Sequence, residues 1–175
     1  IIFSRDIPSI WKDEKDINSG VIILKNTKYV KDLMDRMTLE DKVAQMCQYV
    51  GLEHMKKAEK ELSPEELLGN DALGFYKDLH SNDVAQMIVD GKIGSFLHVL
   101  TAEEANYLQS LVQKSRLKIP LLIGIDAIHG NAMVEGATVY PTPINMAATF
   151  TDEYAYDIAR QTAKEMRATG SHWAF

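Results

Sequence analysis

Asp126 is the side chain best placed for chemistry, because it follows directly on an apolar run at residues 120–125, PLLIGI. Such a run predicts a strand buried on both faces, as in a parallel sheet covered by helices. Ligands of parallel α/β folds bind just beyond the carboxyl ends of the strands. A desolvated carboxylate without a partner is strongly destabilising, so Asp126 is expected to meet an internal partner or a ligand. Its position favours the ligand.

The chemistry that suits Asp126 is acceptance of hydrogen bonds from hydroxyl groups, with a helix cap or a buried ion pair as the structural alternative. One carboxylate accepts from two neighbouring hydroxyls at once, which fits sugars better than most ligands. His129 is a weaker candidate for the same ligand, and we expect it instead to fix the loop by bonding a backbone carbonyl. These two side chains fall short of the three or four ligands of a usual metal site, so no metal is predicted.

The remaining candidates are weaker. His98 lies near the end of a predicted strand but has no identifiable partner, and a core or loop role is favoured over a pocket role. Glu135 and Glu165 suggest an acid/base pair, yet one stands on a loop and the other near a helix end, so neither is predicted to be catalytic. Trp173 is expected in the core. Nucleophile-elbow, P-loop and dinucleotide-binding glycine motifs are absent from the sequence.

Strands and helices alternate in the second half of the chain, which predicts right-handed βαβ units and a parallel sheet. The predicted elements are a helix at 82–90 ending at Gly91, a strand at 93–99, a helix capped by Thr101, the strand ending at Asp126, a helix capped by Thr151 and ended by Gly170, and a strand from His172. Three strands leave a sheet edge and an apolar face open, which ordinary domains avoid. The long segment 127–150 fits the enlarged loops of barrel sites, so we predict part of a larger α/β barrel.

The first half of the chain is mostly helical in pattern. Apolar residues recur at helical spacing within 26–37, which predicts a helix there, and Thr38 is predicted to cap a second helix. The stripe of this second helix consists of Leu39, Val43, Met46, Cys47 and Val50. That spacing predicts a core position for Cys47. Ser63 is predicted to open a further short helix.

The composition is that of a soluble globular protein and argues against several other classes. An apolar share of 46% and a charged share of 25% are ordinary for a soluble globular chain of 175 residues. The net charge of −6 argues against a nucleic-acid partner, which would need clustered lysine and arginine. No apolar segment approaches the ~20 residues of a membrane span, and the single cysteine excludes an internal disulfide. The first residues lack the layout of a secretory signal and a starting methionine, so they leave the localisation unknown.

Four motifs, in order, resemble the N-terminal barrel domain of glycoside hydrolase family 3. They are RMTLEDKVAQM at 36–46, GKIGSF at 91–96, GIDAIHG and GATVYP within 124–141, and EMRATGSHWAF at 165–175. The chain is most similar to the β-glucosidase and exo-β-glucanase branch. The alternative β-N-acetylglucosaminidase branch usually has an acidic residue and two glycines after the aspartate, whereas Ala127, Ile128 and His129 stand here. The resemblance implies that residues 26–175 are the N-terminal portion of a (β/α)8 TIM-type barrel, incomplete in this chain, after an extended lead-in at 1–25.

The resemblance also implies a retaining glycosidase that uses two carboxylates to release terminal nonreducing β-D-glucosyl residues from β-glucosides or β-glucan oligosaccharides. The family's two carboxylates lie in motifs beyond Phe175, so this segment alone is expected to be inactive. Of the family's sugar-binding residues it carries Asp126, with His129 as a weaker candidate. The implied partners are the substrate, the remainder of the barrel and a following α/β domain, without a cofactor, nucleic acid or membrane span. A secreted or periplasmic location is favoured over a cytoplasmic one. A non-catalytic carbohydrate-binding barrel is the alternative outside the enzyme class.

Overall fold

The computed structural model describes residues 27–53, 55–56 and 80–175. The lead-in predicted at 1–25 and the helix predicted at Ser63 lie outside these residues, and both stay predictions.

The chain divides into two compact units, Ile1–Leu39 and Glu40–Phe175. In the first unit, helix α1 (Thr27–Arg36) confirms the helix predicted at 26–37. An ion pair between Lys31 and Asp35, four residues apart at 2.7 Å, lies on its exposed surface and stabilises it only slightly. The sheet belongs to the second unit.

Four parallel strands form one sheet within the described residues, in the order β1-β2-β3-β4. Their bounds are Gln48–Val50 (β1), Ser95–Leu97 (β2), Leu122–Ile125 (β3) and Trp173–Ala174 (β4). In register, Leu97 pairs with Gly124, and Gly124 pairs in turn with Trp173. Because all strands run in one direction, their carboxyl ends meet at one edge of the sheet. The predicted α/β class with a parallel sheet, as in part of a TIM-type barrel, is confirmed.

At least one helix lies between every two successive strands of the described residues. The bounds of the further helices are Leu39–Ala44 (α2), Ser81–Val89 (α3), Ala102–Val112 (α4), Pro143–Ala147 (α5) and Ala155–Ala168 (α6). Helix α4 is capped as predicted, because the Thr101 hydroxyl accepts a hydrogen bond from the Glu104 N–H at 3.1 Å. Helix α3 ends as predicted before Gly91, whose φ of 74° favours glycine.

One face of the sheet packs against α3 and α4. Phe96 of β2 and Ile123 of β3 are fully buried there, in one cluster with Val84 of α3 and Leu108 of α4. Complete burial of an apolar side chain of this size stabilises the fold by about 1.5–3 kcal/mol. This layer therefore fixes the two central strands against their helices.

The opposite face of the sheet, the open face, has no covering layer among the described residues. Side chains alternate along β3, so the side chain of Leu122 points away from the face that buries Ile123. Leu122 is 43% exposed, and a hollow of about 400 Å³ lies between it and Trp173. The predicted core position of Trp173 is wrong here, because Trp173 lines this hollow and its exposed ring packs beside that of Phe175 with the centroids 4.6 Å apart.

The second predicted helix is correct only as far as Ala44, where the chain turns and then forms β1. Cys47 accepts a hydrogen bond at its carbonyl from the Gly94 N–H at 3.2 Å. A Cβ at Gly94 would lie only 2.4 Å from the carbonyl oxygen of Gln45. Pairing with β2 therefore overrides the helical spacing of the apolar residues. As a result Met46 is exposed and Cys47 is half-buried, so the predicted core position of Cys47 is also wrong.

Helix α6 begins at Ala155, three residues later than a helix capped by Thr151 would begin. The hydroxyl of Thr151 accepts a hydrogen bond from the Glu153 N–H at 3.2 Å, inside a turn, and so does not cap the helix. Its predicted end at Gly170 is confirmed, because that residue has a φ of 89° directly after the helix.

Glu104 is a buried carboxylate whose partners lie outside its own helix. It is 4% exposed, and Oε1 accepts a hydrogen bond from the Glu53 N–H at 3.0 Å, with a second bond from the Leu52 N–H. The carboxylate thus satisfies the backbone of the turn that follows β1. Desolvation raises the pKa of Glu104, although the two backbone bonds act in the opposite direction.

We expect Glu104→Gln to reduce the pH dependence of stability. Because its folded pKa is raised, the contribution of Glu104 is fully present below its unfolded pKa of about 4.3 and is lost as pH rises through the folded value. The amide keeps an acceptor oxygen but has no proton to lose, so the free energy of unfolding should fall less over this range. Urea unfolding between about pH 4 and pH 7 measures this. Glu103→Gln, at an exposed neighbour, should follow the wild type, and identical profiles for all three would contradict the assignment.

We expect Gly94→Ala to destabilise the protein by about 3 kcal/mol, the upper range for overpacking, because backbone atoms of Gln45 occupy the place of the added methyl. Gly136→Ala is the control. Its φ is 81°, but nothing lies within 4 Å of the new atom, so only the left-handed strain of about 1 kcal/mol applies. Thermal unfolding of both variants compares the two costs. A Tm for Gly94→Ala at or above that of Gly136→Ala would show that the two segments are not in contact.

Candidate functional site

Asp126 and His98 stand next to each other at the carboxyl ends of adjacent strands. His98 follows β2 directly, and Asp126 follows β3. The imidazole Nε2 lies 3.0 Å from Oδ2 of the carboxylate. The sequence alone identified no partner for His98, and the structure provides one in Asp126. The sequence feature that could have predicted the pair is the position of both residues directly after strands, because the carboxyl ends of these strands lie at one edge of the sheet.

The carboxylate of Asp126 is only partly occupied by this contact. Its side chain is 47% exposed, against 20% for that of His98. Oδ2 is in contact with the imidazole of His98, while Oδ1 has no partner among the described residues. The pair thus combines the internal partner and the open carboxylate that the sequence presented as alternatives, and the free oxygen can accept a hydrogen bond from a ligand.

The backbone of His98 packs closely against the neighbouring strand on each side. Its N–H donates to the carbonyl of Gly124 at 2.9 Å. On the other side, a Cβ at Gly51 would lie 2.7 Å from the His98 carbonyl oxygen. His98 itself has a φ of 57°, in the left-handed region that residues other than glycine seldom adopt. Close packing on both sides maintains this strained conformation.

His129 closes the loop that follows Asp126. Its Nδ1 lies 3.1 Å from the Tyr140 carbonyl, and the Tyr140 N–H donates to the His129 carbonyl at 2.8 Å. Between them, Gly130 has a φ of 98°, and a Cβ there would lie 2.1 Å from the carbonyl oxygen of Thr138. The structure therefore shows the carbonyl contact expected of a loop-fixing histidine. A direct role of His129 in sugar binding stays a prediction.

Glu165 anchors the same loop to helix α6. Its carboxylate accepts hydrogen bonds from the Thr138 hydroxyl at 2.7 Å and from the Thr138 N–H at 2.9 Å. These two bonds, the hydroxyl first, lower the pKa of Glu165 and favour its charged form. Asn131, fully buried, adds a bond from its amide to the Thr169 hydroxyl at 3.3 Å. Glu165 is thus engaged in positioning the loop, whereas Glu135 is exposed on it.

His172 joins β4 to β3. Its Nδ1 accepts a hydrogen bond from the Ile123 N–H at 3.2 Å, which places any proton of the neutral ring on Nε2. Partial burial, and then the charge of Arg167, lower the pKa of His172 and favour the neutral form that this contact requires. Its role is therefore to position the strand that carries Trp173 onto the open face.

Clusters of three or more metal-ligating side chains do not occur within 27–53, 55–56 and 80–175. Across the same parts of the chain, the helices are too short or too polar to cross a bilayer.

Comparison with known proteins gives consistent matches. The family model for the glycosyl hydrolase family 3 N terminal domain matches residues 38–175. The chain is 27% identical over 180 residues to the Lysosomal beta glucosidase of Dictyostelium discoideum, a match that covers 99% of this chain and 21% of that protein. It is 27% identical over 150 residues to the Periplasmic beta-glucosidase of Salmonella typhimurium, covering 83% of this chain and 16% of that protein.

A solved structure agrees with these matches. The exo-1,3/1,4-beta-glucanase (ExoP) of a Pseudoalteromonas species superposes with a TM-score of 0.58 and 25% identity, covering 85% of this chain and 17% of that chain. The chain thus spans about a fifth or less of the length of these relatives. The family match includes the four strands of the sheet, His98, Asp126 and the loop that follows, so the chain belongs to glycosyl hydrolase family 3 and lies within the N-terminal domain of that family.

Proposed function

We propose that this chain forms the first part of the (β/α)8 barrel of a retaining glycosidase that releases terminal nonreducing β-D-glucosyl residues from β-glucosides or β-glucans. Family membership supports the glycosidase class, and the relatives named beta-glucosidase and exo-1,3/1,4-beta-glucanase support the glucosyl substrate. The observation that carries the proposal within this chain is the half-exposed carboxylate of Asp126 at the carboxyl end of β3.

Asp126 is proposed to bind hydroxyl groups of the glucosyl unit in the innermost subsite. Its Oδ1 is available for a hydroxyl, and Oδ2 retains one lone pair beside the bond to His98. Two adjacent sugar hydroxyls can therefore still bond the same carboxylate. For His129 the contact to the Tyr140 carbonyl favours a supporting role, in which it shapes the loop around the subsite.

The nucleophile and the acid/base are proposed to lie beyond Phe175, in the remainder of the barrel and a following α/β domain. The other two carboxylates with defined contacts near the site are unsuited to these roles. Glu104 is buried against backbone N–H groups, and Glu165 is bonded to Thr138. The open face, with exposed Leu122 and Trp173, is the surface against which further strands of a barrel would pack.

A location outside the cytoplasm is proposed from the same comparisons, because the two relatives are named Lysosomal and Periplasmic.

We expect the full-length protein to hydrolyse an aryl β-D-glucoside and to release β-glucose first, since a retaining mechanism keeps the anomeric configuration. Proton NMR of the earliest product distinguishes the two anomers before they equilibrate. An α-anomer would overturn the retaining mechanism. Cleavage of N-acetylglucosaminides alone would favour the other family branch, and the absence of any turnover would favour a non-catalytic carbohydrate-binding barrel.

We expect Asp126→Asn in the full-length protein to lower kcat/KM by roughly 2–4 kcal/mol of transition-state stabilisation, the scale for losing a charged hydrogen-bond acceptor. An amide offers one acceptor oxygen and turns its NH2 group towards the second hydroxyl. Because such bonds tighten as the sugar ring flattens in the transition state, kcat should fall as well. Steady-state kinetics with His129→Gln as the comparison, expected to cost less, provide the measurement. An inactive His129→Gln beside an Asp126→Asn within twofold of wild type would reverse the two assignments.

A further inference from the structure

We propose that His98 is a positioning residue of the sugar site, which fixes the carboxylate of Asp126 in its accepting orientation before the sugar arrives. This inference rests on the proposed function, because it assigns a role to His98 through Asp126. With the proton on Nε2, the imidazole donates to Oδ2 at 3.0 Å and leaves Oδ1 to the ligand.

The two side chains differ in exposure, and this difference indicates that His98 orients Asp126 rather than the reverse. The Asp126 side chain is about half exposed, whereas the His98 side chain is largely packed among its neighbours. A half-exposed aspartate rotates freely about its side-chain torsions and loses that freedom when a ligand binds. A hydrogen bond from a more buried ring removes the freedom in advance, which is the general advantage of a preorganised site.

The backbone conformation of His98 is what brings its ring to Asp126. Side chains alternate along a strand, so the residue two positions after Phe96 would point to the face that packs on the helices. Asp126, two positions after Gly124, belongs on the opposite side. A left-handed φ of 57° at His98 breaks the alternation, and its imidazole meets the carboxylate.

The strained backbone of His98 is therefore what allows its side chain to contact Asp126. A left-handed conformation is destabilising at a residue other than glycine. Here the His98 N–H bond to Gly124 and the close approach of Gly51 maintain it. Asparagine, like histidine, tolerates this conformation better than glutamine does, but its side chain is shorter than that of histidine. Substitutions at position 98 can therefore separate two properties of the residue, which are its tolerance of the left-handed backbone and the reach of its side chain to Asp126.

The first test compares His98→Gln with His98→Asn in the full-length protein, using an aryl β-D-glucoside. Glutamine carries an amide donor at a similar distance from the backbone, so kcat/KM should stay within about threefold of wild type. Asparagine suits the backbone but does not reach, so kcat/KM should fall about 10- to 100-fold, the range for a lost hydrogen bond to a charged group. The opposite order, with asparagine active and glutamine impaired, would mean that His98 acts through the backbone alone.

The second test is a double-mutant cycle with Asp126→Asn. If His98 acts through the carboxylate, His98→Asn should have less than about a twofold further effect once Asp126 is replaced. Fully additive losses would overturn the assignment. The Tm of each variant separates folding from function, and a folded His98→Gln variant that has lost activity would by itself contradict a role through the Nε2–H donor. An active wild type with unaffected His98 variants refutes this inference alone, whereas a wild type without glycosidase activity refutes the proposed function and this inference together.

Discussion

The position of β2 between β1 and β3 is the constraint on which the rest of the sheet depends. On one side the Gly51 N–H donates to the Leu97 carbonyl at 2.9 Å, and on the other the His98 N–H donates to the Gly124 carbonyl at the same distance. At the opposite end of β2, Gly94 lies against the turn before β1 without room for a side chain. These contacts fix the register of all three strands, and the register decides which residues meet at their carboxyl ends. The juxtaposition of His98 and Asp126 is a direct consequence.

The loop after β3 is long, yet its contacts tie it to the domain. It is closed internally by His129 and Tyr140 and attached to helix α6 and the residue after it by two further contacts, Thr138 with Glu165 and Asn131 with Thr169. Each contact removes conformational freedom from a segment that would otherwise have to be ordered when a ligand binds. Asp126 stands at the start of this loop, so the surroundings of its carboxylate are defined on the strand side by His98 and on the loop side by these attachments.

The carboxylates near the site divide by their environment. Glu104 is desolvated and satisfied by backbone N–H groups, and Glu165 is satisfied by Thr138, whereas Asp126 keeps one oxygen open. A carboxylate whose oxygens are occupied by hydrogen bonds from the protein is not free to bond a substrate, while a half-open one is suited to bind hydroxyls. This division supports the proposal that the chain contributes sugar binding, and that the residues of bond cleavage come from other segments of the barrel and a following domain.

Local signals in the sequence determined the alternation of strands and helices, the Thr101 cap, the glycines after α3 and α6, and the position of Asp126 at a strand end. Each of these depends on a few consecutive residues, so spacing and residue type are sufficient to predict it. Residues 48–50 form a strand instead of the predicted end of a helix, and only the tertiary structure decided this, because the partner strand begins at Ser95, far along the chain. The tertiary structure also decided the left-handed conformation of His98 and its contact with Asp126, since both result from the packing of neighbouring strands on β2. A one-dimensional pattern carries the types of these residues but not the distances between them, and the chemistry of the site depends on those distances.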